Sequence, residues 1–239
     1  MGKMNCMCEA EGRAWTACQP FRVGLSIPEQ VLLGAAFDRR VLQAEACLAD
    51  GWHSEHPPVV LVQRGALVEF LPDRDGGMHV LGLVLPGEMV IPTGRRMAQR
   101  QLQAVAETEV LVSTADRFDV LLEEVPQVRV NLLNMVQTQL ADARTWQVVL
   151  GRKTATEKVA TLVLWLWERQ GRAVEVPLHL SRSGLGQLTG LSVETVSRQM
   201  KRLERAGAVR LPAPTRLILR NEAVLRDMAG EPEREGHFT

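Results

Sequence analysis

Residues 180–207, LSRSGLGQLTGLSVETVSRQMKRLERAG, constrain this chain more than any other stretch. They read as two short helices joined by a tight turn. The first spans about residues 182–188 and Gly190 marks the turn. Ser192 is placed to cap the second helix, whose first N–H groups need an acceptor. In that second helix Val193, Val196, Met200 and Leu203 recur at helical spacing, which predicts a core-facing stripe. Glu194, Ser197, Arg198, Lys201 and Arg205 recur on the opposite side, with Thr195 beside them. This set has the chemistry of a helix read against a major groove. Arginine donates two bonds to guanine O6 and N7, glutamate accepts from cytosine N4, and serine or threonine serves either base. A merely solvated charged face has the same residue types, but the charge distribution separates the two readings. Residues 179–220 hold eight Lys/Arg against two Asp/Glu, a surplus of six, whereas the whole chain holds 28 of each sign. A phosphate backbone accounts for that concentration.

The rest of the chain therefore carries a deficit of six charges, so a small basic reader is joined to an acidic body. At 239 residues there is room for two ordinary domains or one large one. No apolar run reaches about 18 residues and no signal-peptide pattern opens the chain, which predicts a soluble, cytoplasmic protein without a membrane partner.

Ser26-Ile-Pro-Glu29 is a capping box that opens a short helix to about Phe37. From residue 40 to 118, short apolar runs (59–62, 66–71, 79–85, 102–106, 109–112) alternate with turns rich in Gly, Pro and Asp, the pattern of a β-sandwich or β-roll. Residues 117–125 read as a short helix ending before Pro126. Nothing breaks a helix over 126–150, where Leu133, Val136, Leu140, Ala143 and, past Gln147, Leu150 form a coiled-coil-like seam. Roughly 24 residues of helix, about 36 Å, outrun a small roll, so the seam predicts a partner helix. Gly151 is expected to end the helix. Thr154-Ala-Thr-Glu157 then caps another over 156–170, with Val159, Leu162, Val163, Leu166 and Trp167 apolar, and Trp165 and Trp167 read as core. A strand over 173–177 precedes the helix pair. Runs 209–211 and 216–219, split by Pro212-Ala-Pro214, form a hairpin wing that adds Arg216 as a candidate DNA contact. The expected fold is α+β: a cysteine-bearing segment (1–25), a β-roll sensor domain (26–125), a long dimerisation helix (126–151), a winged helix-turn-helix (152–228) and a disordered polar tail (229–239).

All four cysteines, Cys6, Cys8, Cys18 and Cys47, fall in the first 47 residues. In a reducing compartment such a group points to metal or redox chemistry rather than disulfides, and four thiolates is the ligand number of a [4Fe–4S] cluster. Unrelated free thiols near a loose terminus are the alternative. His53, His56 and His79 are candidate ligands for a haem-based gas sensor. No Walker loop, HExxH, GxSxG or dinucleotide fingerprint occurs, and the roll offers no persuasive acid/base pair, so an enzyme is not expected.

A roll, a long helix and a winged helix-turn-helix, taken with three motifs, resemble the CRP/FNR superfamily of bacterial transcription regulators, most closely its FNR/FnrL-type group. The motifs are Gly82-Leu-Val-Leu-Pro-Gly-Glu88, Gly151-Arg-Lys-Thr-Ala-Thr-Glu-Lys158 and Leu188-Thr-Gly-Leu-Ser-Val-Glu-Thr-Val-Ser-Arg198. The resemblance implies that Glu194, Ser197 and Arg198 read TTGAT-like half-sites of a palindrome, that the seam helix forms a homodimer, and that the roll contacts RNA polymerase. It further implies an oxygen-labile [4Fe–4S] cluster. Cys18 falls where the last N-terminal ligand belongs, while Cys6 and Cys8 lie farther upstream than the family spacing. The family's late-strand ligand falls near Leu111, which cannot ligate, so Cys47 would take its place. Gly87-Glu88 matches the cyclic-nucleotide branch, but its Arg-Ser-Ala triplet is absent and no cyclic nucleotide is expected.

Overall fold

The computed structural model describes residues 19–48, 58–72, 77–91 and 100–231. The chain divides into two compact units, residues 1–140 and 141–239.

The first unit begins with α1 (Gln19–Arg22) and α2 (Ile27–Ala35), the latter opened by the expected capping box, in which Ser26 N donates to Glu29 Oε2 at 2.7 Å. A four-stranded antiparallel sheet follows in the order β1 (Asp38–Leu42), β7 (Thr108–Ser113), β2 (Val59–Arg64), β5 (Met89–Val90). A three-stranded sheet has the order β4 (Met78–Val84), β3 (Leu67–Pro72), β6 (Gln101–Ala104). Strands β2 and β7 carry the continuous apolar runs 59–62 and 110–112 because each feeds two cores at once. Val59, Leu61 and Leu111 pack with Phe21, Leu33, Phe118 and Val128 on the helical side. Val60, Val62, Val110 and Val112 pack with Leu67, Val84 and Leu102 on the other.

Strand β1 was not expected from residues as charged as Asp38-Arg39-Arg40. It is an edge strand whose ladder partner supplies the countercharge: Arg39 Nε and Nη2 donate to Glu109 Oε1 and Oε2 at 2.6 and 2.9 Å. Those bonds hold the buried Glu109 carboxyl below its ordinary range.

Helix α3 (Ala115–Glu124) is capped by Thr114, whose hydroxyl accepts from Arg117 N. Then comes α4 (Pro126–Arg152), 27 residues long and running through the division between the units. One face of α4 packs on its own roll through Val128, Leu132 and Met135. On that face Asn131 Nδ2 donates to the carbonyls of Phe21 and Val23 at 3.0 and 2.9 Å. The seam residues face away. Leu133 is 57%, Val136 45%, Leu140 49% and Leu150 44% exposed, and Ala143 is exposed with them. Val130 and Val148 widen the stripe, which the heptad pattern alone did not include. Gly151 does not end this helix. It is helical with open space around it, and a glycine inside a helix costs only about 1 kcal/mol. The exit is set beyond it by Thr154, which caps the next helix.

In the second unit, α5 (Ala155–Arg169) starts at a capping box in which Thr154 N donates to Glu157 Oε2 at 2.7 Å. Helices α6 (Arg182–Thr189) and α7 (Val193–Arg205) pack on it. A three-stranded sheet runs β8 (Glu175–Pro177), β10 (Arg216–Leu219), β9 (Val209–Ala213), with Pro212 tolerated because β9 is an edge strand. Trp167 is buried as expected, whereas Trp165 is half-buried. The chain then forms α8 (Glu222–Ala229), which was not expected. Asn221 caps its start, Gly230 ends it in a left-handed conformation, and Leu225 and Ala229 are buried. Ala229 thus belongs to this helix and not to the tail; residues 232–239 lie outside the described residues. Lys153 ties the unit's two ends, its Nζ donating to Thr161 Oγ1 at 2.7 Å and to the Ala229 carbonyl at 2.8 Å. Among the described residues no helix is long and apolar enough to cross a membrane.

Candidate nucleic-acid interface

The turn between α6 and α7 depends on two glycines. Gly190 takes φ +65°, the left-handed conformation that ends α6. At Gly186 the backbone of α6 comes so close to the turn that a Cβ would lie 2.5 Å from the Leu191 carbonyl oxygen. Gly186→Ala should therefore push the helices apart and lower stability by about 1–3 kcal/mol. Gly82→Ala, where a Cβ meets nothing within 4 Å, is the control. Equal thermal unfolding midpoints for the two variants would show that the turn tolerates the extra carbon.

Helix α7 is divided as its periodicity predicts, with one correction. Val196, Met200 and Leu203 are buried. Val193, expected in the core, is 42% exposed, because the first helical position lies before the packed turn. On the other side Glu194, Arg198, Lys201 and Arg205 are exposed, with Ser197 and Thr195 half-buried. Ser192 caps the helix, its Oγ accepting from Thr195 N at 3.2 Å. Thr195 Oγ1 also lies 3.1 Å from Ser192 Oγ and accepts from Arg198 Nη2 at 3.4 Å, so Thr195 organises the first turn as well as lining the face. Hydrogen bonds from its own backbone N–H and from Ser192 hold the Glu194 carboxyl below its ordinary range. It is thus an acceptor at neutral pH. Lys201 and Arg205 make no ion pair among the described residues, while Arg216 on β10 is paired with Glu175 at 2.8 Å.

Three further residues bear on this surface, and local sequence patterns did not single them out. Gln199 is buried, and Thr156 Oγ1 on α5 donates to its Oε1 at 2.9 Å. Arg202 Nη1 donates to the same Thr156 oxygen at 3.1 Å, so the exposed helix is tied to the first turn of α5. A polar residue at the spacing of the apolar stripe was the available clue for Gln199. Arg182, at the first position of α6, has a buried Nη1 with no hydrogen-bond partner among the described residues, and burial lowers its pKa.

The cysteine set is reached only in part. Cys6, Cys8 and Cys18, with His53 and His56, lie outside the described residues. Cys47 is exposed and forms an isolated β-bridge with Gln103, its Sγ 4.0 Å from the Glu45 carbonyl. Leu111 is a core residue of β7, and His79 is exposed on β4. Among the described residues no group of three or more His, Cys, Asp or Glu is placed to hold a metal ion. In the Gly87-Glu88 turn, Gly87 N donates to the Val62 carbonyl and the Glu88 carboxylate accepts from Leu85 N at 3.2 Å, so this carboxylate serves its own turn.

Residues 157–228 match the model of the Crp-like helix-turn-helix domain. The chain is 31% identical over 171 residues to the transcriptional activator protein FnrL of Cereibacter sphaeroides, covering 68% of this chain and 69% of that one. It is 34% identical over 150 residues to the nitrogen fixation regulation protein FixK of Bradyrhizobium diazoefficiens, covering 60% of this chain and 61% of that protein. The solved structure of FixK2 from Bradyrhizobium japonicum superposes with a TM-score of 0.69 at 25% identity, over 80% of this chain and 96% of that one.

Proposed function

The chain belongs to the CRP/FNR family of transcription regulators, and from that premise we propose that it binds palindromic DNA as a homodimer and answers to oxygen or redox state. Its relatives are transcription regulators, not enzymes, and its helix-turn-helix is the DNA-binding element. The observation that carries the reading is α7 itself: Val196, Met200 and Leu203 are buried on one side, while Glu194, Arg198, Lys201 and Arg205 stand exposed on the other. Arg198 then donates to guanine, Glu194 accepts from cytosine, and Ser197 completes a TTGAT-like half-site. Lys201 and Arg205 neutralise phosphates. The exposed seam of α4 accepts the same helix of a second copy, which sets two reading heads on one two-fold axis. The roll surface is the side offered to RNA polymerase.

Redox sensing rests on four cysteines whose number equals the ligand number of a [4Fe–4S] cluster. Of these, Cys47 presents an exposed thiol, a donor suited to iron. Bound there, a cluster would supply oxygen-labile chemistry; the chain's own part is to deliver four thiolates. Anaerobically purified protein should contain iron and sulfide in near-equal amounts, and air should bleach its visible absorbance. Each of Cys6→Ser, Cys8→Ser, Cys18→Ser and Cys47→Ser should lose both, since no cysteine is spare. Full iron, sulfide and oxygen response in Cys47→Ser would reject the four-cysteine set. A colourless, iron-free wild type would favour a cofactor-free regulator, and a haem spectrum the histidine alternative.

A further inference from the structure

Only Lys153 and Thr154 lie between α4 and α5, and two pairs of side chains bridge the helices. Asp142 on α4 meets Arg169 on α5, Nη1 to Oδ2 at 2.7 Å. Four residues farther along α4 and four residues back along α5, Trp146 meets Trp165 edge to face, ring centroids 5.9 Å apart at 81°. Arg169 joins the two rungs, its Cζ lying 4.9 Å from the centre of the Trp165 ring. Its guanidinium is therefore held by a carboxylate and by an aromatic face, two interactions that a planar cation can make at once. Trp165 Nε1 is buried with no hydrogen-bond partner among the described residues, so the ring is placed by its faces and edges rather than by a polar bond. At the closed end of the pair Lys153 Nζ bonds Thr161, and Thr156 at the start of α5 holds Gln199 and Arg202 of α7. A continuous set of interactions thus runs from the last turns of α4 through α5 to the helix that would enter the groove.

We infer that the ladder Asp142–Arg169–Trp165–Trp146 is a positioning device that fixes the angle of the DNA-binding unit on the last turns of α4, and so the half-site separation the dimer accepts. The inference rests on the dimeric reading above. Adding one base pair between half-sites moves the second by about 3.4 Å and roughly a tenth of a turn, so a rigid junction rejects it and a loose one follows it. None of the four residues needs to touch DNA to act in this way.

The test measures binding of the full-length protein to a single half-site duplex and to palindromes at the best spacing and at one base pair more or less. Sedimentation is run on every variant. The wild type should prefer the best spacing by about tenfold or more, and Arg169→Ala and Asp142→Asn should narrow this to about threefold. Single half-site affinity should not change. Asp142→Asn keeps the side chain's shape at a partly exposed position, so it serves if Arg169→Ala folds poorly. Arg169→Lys should restore only part of the discrimination, because it keeps the charge and loses the planar stack. Trp146→Phe should abolish the exciton couplet of the tryptophan pair in circular dichroism and relax spacing in parallel. Unchanged spacing discrimination in Asp142→Asn overturns the inference. A wild type that sediments as a monomer overturns the dimeric reading instead.

Discussion

Leu140→Glu should reduce operator affinity by about 10²–10⁴-fold while leaving each protomer as stable as before. Leu140 is 49% exposed on α4, so a carboxylate there disturbs no core of its own chain. In a dimer, however, the seam places equivalent positions of the two helices near one another, and two carboxylates would meet across the two-fold axis in a largely apolar strip. Linking two reading heads makes the second binding event effectively intramolecular, and the expected fall in affinity is the loss of that linkage. Sedimentation should show a monomer, thermal unfolding at low concentration should be unaltered, and single half-site binding should persist. A variant that still sediments as a dimer would place the interface elsewhere.

Arg198→Ala should lower the preference for TTGAT-like sites over random DNA by roughly 5–150-fold, the equivalent of about 1–3 kcal/mol for one good base contact. Its guanidinium is exposed and only loosely held, by Thr195 at 3.4 Å, so it is available to make two bonds to a guanine edge. Lys201→Ala and Arg205→Ala should behave differently. Each should weaken specific and random binding alike and reduce the salt slope by about 0.9 for every phosphate that is no longer neutralised. If Arg198→Ala leaves the ratio of specific to random binding unchanged, the base-reading role falls.

What could be read from the sequence was what local chemistry alone decides. The helix-turn-helix was legible because Ser192, Gly190 and the 3.6-residue period each act within a few residues. The long helix was legible because nothing interrupts it. Strand β1 was not, since Asp38-Arg39-Arg40 resembles a solvated loop until Glu109, 70 residues away, pairs with Arg39. Two-residue β5 is too short to leave a pattern. Gly151 misled because a glycine stops a helix only when the chain beyond it turns away, and that is set here by the Thr154 capping box. Helix α8 carried ordinary end signals, Asn221 and Gly230, which a polar surrounding concealed. The ties from Gln199 and Arg202 to Thr156 join residues 43 and 46 positions apart, a distance that no local rule spans.

The bond from Lys153 to the Ala229 carbonyl has a consequence for how this protein is made. Translation runs from the amino end, and the stretch most recently added is still shielded by the ribosome while earlier parts begin to fold. Helix α8 follows every other described element of its unit, so it emerges after them. Until it does, Lys153 lacks one of its two acceptors and the buried faces of Leu225 and Ala229 are missing from the unit that reads DNA. The roll, whose strands all precede residue 114, is free to fold long before. The nascent polypeptide therefore completes its roll well before the closing helix reaches the unit that carries the helix-turn-helix.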